Sequence, residues 1–382
     1  MFIELHLIQN FAPSNLNRDD TNTPKDCEFG GVRRARISSQ CIKRAIRRHP
    51  VFAKTTRVDN GLRTRWLGRL VKNAFVQAGK PEDQAALVAN GFATAYAGKV
   101  ERPEESDLDR TSVLIYFSPE EIQAITAGLL EKWDAALAAS LNPEDKEAAK
   151  ASPVKLLVAD LVKKAKGRTS APDIALFGRM LANDPNLNLE AACQVAHAIS
   201  THPVSMELDF FTAVDDLQPS EETGAGMMGV TGFNSACYYR YASVDWEQLL
   251  HNLDGDRDLA LCTLTAFLRA AVAAVPSGKQ NSFAAQNPPS FLLAVVRRDG
   301  ACWSLANAFE EPVRAAADAG LVGRSVEALD AYWGRLSTVY GNGGVQPFAL
   351  ALEDGLSLSN LAAAQTSTLE SWVQAVAGAV AG

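Results

Sequence analysis

Residues 206–214 read MELDFFTAV, a stretch in which apolar or β-branched side chains stand at every second position. Such alternation is typical of a β-strand that buries one face. A second alternating stretch, residues 233–244 (FNSACYYRYASV), follows a segment at positions 219–232 that is rich in glycine and acidic residues. Turn residues between two strand patterns favour a hairpin. The sequence therefore predicts two facing strands joined by a flexible tip.

The rest of the chain supplies two more strand patterns and two amphipathic helices. In the first strand, Ile3, Leu5 and Leu7 share one face, which predicts a half-buried strand. A mostly helical block at 60–200 is set aside as an insertion, and the chain beyond 297 reads as a largely helical tail. The remaining order is βαββαβ, which predicts an α+β, ferredoxin-like sheet, the scaffold that RNA-recognition domains use to present a flat surface to bases. Its elements are residues 2–9 (β), 39–49 (α), 206–214 (β), 233–244 (β), 256–275 (α) and 290–297 (β).

Composition places the chain among soluble globular proteins. Its 382 residues are 47% hydrophobic and 21% charged, and the formal net charge is −7, which by itself disfavours a nucleic-acid partner. The first six residues contain an acid where a signal peptide needs bases, and Arg269 interrupts the most apolar helix. The six cysteines form no CxxC pair. These features predict a cytoplasmic protein with reduced thiols and no membrane segment.

Positive charge is concentrated in residues 29–49. Seven basic residues and no acid occur there: Arg33, Arg34, Arg36, Lys43, Arg44, Arg47 and Arg48. Ser38 and Ser39 offer an N-cap, and Pro50 ends the helix. One helix face carries Gln40 and the basic side chains, and the other is apolar. A merely solvated basic helix would normally intersperse acids, so the pattern favours phosphate binding, assisted by N–H groups at the helix N-terminus.

A second basic cluster contains one acid, Asp160. Clusters of this size are usually solubilising surface, and contact with DNA is the alternative. Its members are Lys155, Lys163, Lys164, Lys166 and Arg168.

Other motifs do not support catalysis or a cofactor. Residues 224–229 match GxGxxG, but the approach is polar and loop-like and the exit is a strand, so a dinucleotide site is disfavoured. Gln280 follows Gly278-Lys279 where a P-loop needs Ser or Thr, although backbone N–H groups there could contact phosphate. Cys193 and His197 stand four apart on a predicted helix, which is typical of core packing. We therefore predict no catalytic residue, no metal and no cofactor.

Three groups of motifs are spread in order over nearly the whole chain. The amino-terminal group comprises Asn17-Arg18-Asp19-Asp20, Lys25-Asp26, Phe29-Gly30-Gly31, Arg36-Ile37-Ser38-Ser39-Gln40 and Lys43-Arg44-Ala45. The middle group comprises Asp173-Ile174-Ala175-Leu176, Gly178-Arg179-Met180, His197-Ala198-Ile199 and Phe211-Thr212-Ala213-Val214. The last group comprises Gly278-Lys279-Gln280, Asn287-Pro288 and Leu305-Ala306-Asn307. Together they resemble the CasC family, the repeated backbone subunit of the type I-E CRISPR complex Cascade.

The resemblance implies a fold like a right hand. Residues 1–58 and 237–382 would form a ferredoxin-like palm with a helical tail, 59–200 inserted helical fingers, and 201–236 a β-hairpin thumb. Copies of the subunit stack along the guide RNA, and each thumb displaces a base at regular intervals. The implied partners are the CRISPR guide RNA, further copies of the chain, other Cascade subunits and target DNA.

The resemblance also implies roles for individual residues. Met180 and Met228 match apolar wedge positions beside the displaced base, on opposite sides of one gap. The implied RNA-binding residues are Arg18, Lys25, Ser38, Gln40, Lys43, Arg44, Arg47, Phe211, Thr212 and Lys279. The resemblance does not extend to the basic cluster at 155–168, for which DNA contact remains a separate prediction.

Two alternatives belong to other functional classes. A metal-dependent endoribonuclease on the same scaffold would need an exposed acid such as Asp20, Asp215 or Asp216 beside the bound strand. A regulator that binds single-stranded RNA as a monomer would show sequence preference and no protein ladder along the RNA.

Overall fold

The computed structural model describes residues 1–141, 153–164, 167–180, 188–213, 216, 227–316, 319–353, 356 and 358–382. The chain divides into two compact units. The first comprises Met1–Thr55, Gln194–Trp246 and Leu264–Gly382, and the second comprises Thr56–Cys193 and Glu247–Thr263. No helix among the described residues is both long and apolar enough to cross a membrane.

The described elements mix strands and helices throughout the chain. The strands are β1 (Phe2–Ser14), β2 (Asp26–Phe29), β3 (Val32–Ile37), β4 (Leu62–Thr64), β5 (Val100–Glu101), β6 (Arg110–Thr111), β7 (Ile115–Phe117), β8 (Cys193–Val195), β9 (Ala198–Ser200), β10 (Glu207–Ala213), β11 (Met227–Asp245), β12 (Phe291–Arg297) and β13 (Val345–Ala351). The helices are α1 (Ser39–Arg48), α2 (Pro50–Thr56), α3 (Leu67–Gln77), α4 (Glu82–Ala97), α5 (Pro119–Glu131), α6 (Trp133–Leu141), α7 (Pro153–Lys164), α8 (Pro172–Phe177), α9 (Trp246–Asn252), α10 (Arg257–Ala273), α11 (Gln280–Phe283), α12 (Leu321–Tyr340) and α13 (Leu369–Ala381).

A large antiparallel sheet organises the first unit. Its strand order is β13-β12-β1-β11-β9-β3-β2, and β10 pairs with the outer part of β11. Strand β1 lies in the middle, with Phe2 opposite Asp245 of β11 and Arg297 of β12. The predicted strands and helices at 2–9, 39–49, 206–214, 233–244, 256–275 and 290–297 are all present, and the predicted hairpin is formed by β10 and β11.

Both faces of the sheet are covered, which corrects the prediction of a half-buried first strand. On one face, Leu5 and Leu7 lie against Ile42 and Ile46 of α1 and Phe267 of α10. On the other face, a core of aromatic and aliphatic side chains packs β1, β11 and β12 under α12: Ile8, Tyr239, Phe291, Leu293, Leu329 and Trp333. The centre of this sheet therefore differs from the RNA-recognition scaffold, because both of its faces are covered.

Polar side chains in the middle of the sheet bond to one another, although Nε2 of the buried His6 has no hydrogen-bond partner among the described residues. Glu4 forms a buried ion pair with Arg297 at 3.1 Å, and the Arg297 guanidinium lies 4.1 Å from the Trp303 ring centre. The hydroxyl of Tyr239 accepts the Leu305 N–H at 2.8 Å and forms a hydrogen bond with Nδ1 of His6 at 2.9 Å. Burial, followed by the charge of Arg297, lowers the pKa of His6 to about 3, so this histidine is neutral at physiological pH.

Five strands of the sheet were not predicted: β2, β3, β8, β9 and β13. Strands β2 and β3 pair in a region that reads as a polar loop, since β3 has the sequence VRRARI. Strand β13 lies at the sheet edge beside β12, within the tail that was predicted to be largely helical. It contains Pro347, which is tolerated at an edge because an outward proline interrupts no ladder bond.

The second unit is mostly helical, as predicted for the 60–200 block. Helices α3 to α7 pack around Phe75, Phe92, Phe117 and Trp133. Strand β7 interrupts these helices and pairs with the short β4. Helix α5 begins with a capping box in which Ser118 accepts from the Glu121 N–H at 3.0 Å.

Candidate nucleic-acid interface

Helix α1 supplies the basic face that the sequence predicts. Ser38 caps the helix by accepting from the Cys41 N–H at 3.3 Å, and the helix contains no acid. Ile42 and Ile46 are buried, whereas Gln40, Arg44 and Arg48 are exposed. Lys43 and Arg47 are partly buried at the edges of this face. The amphipathic division of α1 is therefore confirmed.

Ser38 lies beneath the surface of the basic face. Its side chain is committed to the cap, its backbone N–H donates to Asn17 Oδ1 at 2.8 Å, and the residue is only 8% exposed. Ser38 thus ties the start of α1 to the segment that carries Arg18.

An open cleft of about 790 Å³ lies beside α1. Arg44 and Arg48 line one wall, and Arg18 and residues 275–278 line the others. Gly278 makes this arrangement possible, because a Cβ at that position would lie 2.3 Å from the Leu16 carbonyl oxygen. The next residue, Lys279, has a left-handed φ of 49° and caps α11. The fold thus brings Arg18, Arg44 and the Gly-Lys segment together from distant parts of the chain.

Lys25 extends the positive field away from this cleft. Its backbone pairs with Asn17 and Arg36, with N to O distances of 2.9 Å in both cases. Arg36 donates to Nδ1 of His197 at 3.1 Å. Burial lowers the pKa of His197, and the charges of Arg36 and Lys25 lower it further. Burial raises the pKa of the Cys41 thiol, while the charges of Arg44 and Lys25 oppose that rise.

The 29–49 stretch contains seven basic residues, but not all of them face solvent. Arg34 is fully buried and donates to the carbonyl oxygens of Phe29, Ser200 and Phe309 at 2.8–3.2 Å. Arg33 pairs with Asp26 at 3.1 Å. Arg34 is therefore a structural residue that fastens the β2–β3 hairpin to the sheet.

The outer half of β11 and strand β10 form an exposed two-stranded ribbon. Paired residues share a face, so Thr212 lies beside Met228, and Phe210 beside Val230, on one side. Phe211 occupies the opposite side, where its ring covers Gly229. Met228 is 67% exposed and Phe211 39%. Phe211 and Met228 thus point to opposite faces of the ribbon, a distinction that the sequence prediction did not make. The tip at 217–226, and with it the first half of the GxGxxG match, lies outside the described residues.

Met180 is held outward by a buried neighbour in the second unit. Arg179 donates to Glu121 Oε1 at 2.7 Å and to the Tyr116 carbonyl at 3.3 Å. Its backbone pairs in both directions with Leu189. Met180 itself is 84% exposed. An apolar side chain presented so fully, next to an anchored arginine, has the form of a protruding wedge.

The basic cluster at 155–168 is described only in part. Lys155 is exposed on α7, and Lys163 and Lys164 stand at the end of that helix. Lys166 lies outside the described residues. Arg168 pairs with Asp254 at 2.5 Å.

The acids proposed for the nuclease alternative occupy different places. Asp20 lines the cleft beside α1, Asp216 is exposed, and Asp215 lies outside the described residues. Within the described ranges, no group of three or more His, Cys, Asp or Glu side chains is placed to hold a metal ion. The prediction that Cys193 and His197 share a helix is wrong, because Cys193 begins strand β8 and His197 lies in the turn before β9.

The fold and the cationic cleft define a class of α+β proteins with a positive groove on an acidic body. Two solved structures, both described as a CRISPR RNA-guided surveillance complex and the first as pre-nicking, contain similar chains. The first is 32% identical with a TM-score of 0.85, and the second is 27% identical with a TM-score of 0.75. Each alignment covers 99% of this chain and 100% of the other. No curated protein matches the chain.

A family model described as "CT1975-like protein" matches residues 3–375. The chain therefore belongs to the CT1975-like protein family.

Proposed function

We propose that this chain is a non-catalytic, guide-RNA-binding subunit of a CRISPR RNA-guided surveillance complex. The observation that carries the proposal is the cleft beside α1, where Arg18, Arg44 and Arg48 converge in a protein whose net charge is −7. A local cationic groove on an acidic protein suits a polyanion. Similarity to chains of solved surveillance complexes over 99% of the sequence supports the same role.

We further propose that the chain is the backbone subunit of a type I-E complex, similar to members of the CasC family. The antiparallel strand order β12-β1-β11-β10 supports a ferredoxin-like palm, with the second unit as fingers and the ribbon as thumb. We keep the boundaries 1–58, 59–200, 201–236 and 237–382 as a proposal. Helix α9 and the start of α10 belong to the second compact unit, so the fingers would include a segment beyond residue 246.

The proposed RNA contacts divide into three groups. Phosphate contacts come from the cleft and from the face of α1: Arg18, Lys25, Gln40, Lys43, Arg44, Arg47 and Lys279. Ser38 supports them through its cap and its bond to Asn17. Phe211, Thr212, Met180 and Met228 contact bases at the ribbon and at the wedge of the second unit. Thr212 and Met228, which share a ribbon face, would meet the same nucleotide, whereas Phe211 would meet its neighbour.

Assembly along the RNA would use the apolar ribbon face. Leu208, Phe210 and Val230 lie there and are each more than half exposed. Contiguous exposed apolar surface of this kind marks an interaction site. Further copies of the chain and other subunits of the complex are the proposed partners.

The experiment that tests the function is sequencing of the RNA that copurifies with the chain. We expect short RNAs that match CRISPR spacers of the source genome, protected in multiples of one fixed length. RNA of random cellular origin, or one preferred sequence bound by a monomer, would instead support the regulator alternative.

The same preparation tests the nuclease alternative. With magnesium or manganese, the wild type should cut neither guide nor target, and Asp20→Ala, Asp215→Ala and Asp216→Ala should behave like it. A cleavage activity that one of these changes removes would replace the proposed function with an enzymatic one.

Duplex target DNA is the proposed partner of the basic cluster at 155–168. Changing Lys155, Lys163, Lys164 and Lys166 to Gln should weaken capture of duplex DNA about 10-fold, because phosphate contacts dominate such binding. Guide binding should be unchanged. Lys132→Gln, a change at an exposed lysine outside the cluster, serves as the matched control. Equal loss of guide and duplex binding, or loss of neither, would return the cluster to ordinary surface. Electrophoretic mobility shifts measure both affinities.

A further inference from the structure

The segment from Asp19 to Thr23 closes into a loop at the edge of the cleft. The Asp19 carboxylate accepts from the backbone N–H and the hydroxyl of Thr21 at 3.0 and 2.8 Å, and from those of Thr23 at 3.0 and 2.8 Å. The Asp19 N–H in turn donates to the Thr23 carbonyl at 2.9 Å. The bonds from Thr21 and Thr23 lower the pKa of Asp19 to about 2. The carboxylate is therefore ionised at every pH at which the protein functions, and the loop keeps its shape.

Asn22 stands at the top of this loop in an unusual backbone conformation. Its φ is +70°, a left-handed value that asparagine tolerates better than most residues. Its carbonyl oxygen accepts from the side chain of Asn15 at 3.1 Å, and Asn15 is fully buried and also donates to the Gly232 carbonyl at 2.8 Å. The backbone of Asn22 is thus fixed to the base of β11.

The side chain of Asn22 holds Arg18. Asn22 Oδ1 accepts from Arg18 Nη1 at 2.7 Å. Arg18 is otherwise an exposed, flexible side chain that lines the cleft. A guanidinium carries five N–H donors, so one bond to a neutral amide leaves four donors and the full positive charge for a ligand. An acidic partner in the place of Asn22 would have cancelled that charge.

We propose that Asn22 is a positioning residue that pre-orients the Arg18 guanidinium over the cleft to receive an RNA phosphodiester. The inference rests on the proposed function and adds to it the way in which the cleft orients one of its arginines. The loop closed by Asp19 fixes Asn22, and Asn22 fixes Arg18, so the rotamer freedom of Arg18 is lost before RNA arrives. Pre-ordering of a long side chain lowers the entropic cost of binding.

A double-mutant cycle tests whether Asn22 acts on RNA binding through Arg18. Affinity for a fluorescent single-stranded RNA is measured by anisotropy for the wild type, Asn22→Gly, Arg18→Ala and the double variant. Glycine accepts the left-handed φ, so Asn22→Gly removes only the amide. We expect Asn22→Gly to weaken binding about 3- to 10-fold in the wild-type background. It should change nothing in the Arg18→Ala background, because its effect passes through Arg18.

Two further readouts separate positioning from a structural role. Arg18→Lys keeps the charge and a donor for Asn22 Oδ1, so Asn22→Gly should still weaken binding in that background. Arg18→Ala should reduce the slope of log affinity against log salt by about 0.7, the value for one phosphate on a single strand. Thermal melting should be the same for all variants, since Asn22 is exposed.

The results that would overturn the inference about Asn22 differ from the result that would overturn the proposed function. An equal loss from Asn22→Gly with and without Arg18 would show that Asn22 contacts RNA itself, and it would overturn the inference. No loss in either background would overturn it as well. If the wild type does not bind RNA at all, the proposed function fails first.

Discussion

Reversal of Lys43 and Arg44 to glutamate is expected to abolish copurification of RNA. Both residues lie on the outward side of α1, a helix with no acid of its own, and Arg44 lines the cleft. Each reversal removes one cation and places a carboxylate beside a phosphate. We expect affinity for single-stranded RNA to fall about 100-fold or more at physiological salt, and wild-type affinity to decrease steeply as salt is raised. Anisotropy titrations at several salt concentrations measure both effects.

A matched control keeps the change in net charge and moves it away from the cleft. Lys99→Glu with Arg314→Glu alters two exposed cations outside the interface and should leave RNA affinity within about 3-fold of the wild type, because distant surface charges are screened. If both double variants lose RNA equally, the effect is one of overall charge and the assignment of α1 is wrong. Retention of guide RNA by the Lys43 and Arg44 variant would contradict it directly.

Deletion of residues 221–229 is expected to break the assembly of copies along RNA while the first unit stays folded. The deletion removes Met228 and the three end pairs that join Phe211, Thr212 and Ala213 to β11. Phe211, Thr212, Ala213, Met227 and Met228 are exposed, so these pairs bury little area, and the melting temperature should change by no more than about 3 °C. Cross-linking on a long guide should give a ladder of copies for the wild type and single subunits for the deletion.

The control for this deletion lies on the other face of the same ribbon. Glu207→Gln with Asp209→Asn changes two exposed residues that do not share the face of Met228. This variant should keep the ladder. Chemical probing of bound RNA gives a second readout, with reactive bases at even intervals in the wild type and a blurred pattern in Met228→Ala. An unbroken ladder in the deletion variant would assign assembly to another surface.

The sequence predicts those parts of the fold whose pattern is local. The alternation in 206–214 and 233–244 predicts the ribbon, and the spacing of Ile42 and Ile46 predicts the buried side of α1. Each of these patterns arises within a single strand or helix that has one buried and one exposed side. Strand β1 differs. Its polar residues Glu4 and His6 suggest an open face, yet Arg297 and Tyr239, far away in sequence, bond to them in the core.

The same limit applies to the candidate site. A run of basic residues shows where charge is concentrated, but it does not show that Arg34 turns inward to three carbonyl oxygens. Nor does the local sequence show that Gly278 brings a segment from the far end of the chain against Leu16. Both depend on backbone approach between remote segments. The left-handed Asn22 and its bond to Arg18 could be suspected only from asparagine's tolerance of turns.

The covered sheet limits how the chain could recognise the sequence of a bound RNA. RNA-recognition sheets read sequence by stacking bases on exposed aromatic rings. Here Tyr239 and Phe291, at the centre of the sheet, are buried under α12. Bases therefore cannot stack on these rings. Contacts to phosphate position a strand without regard to its letters. Under the proposed function, a subunit that holds RNA mainly by its phosphates, with base contacts limited to the ribbon and the Met180 wedge, would accept guides of any spacer sequence. Such a protein would not need to change when the spacer does.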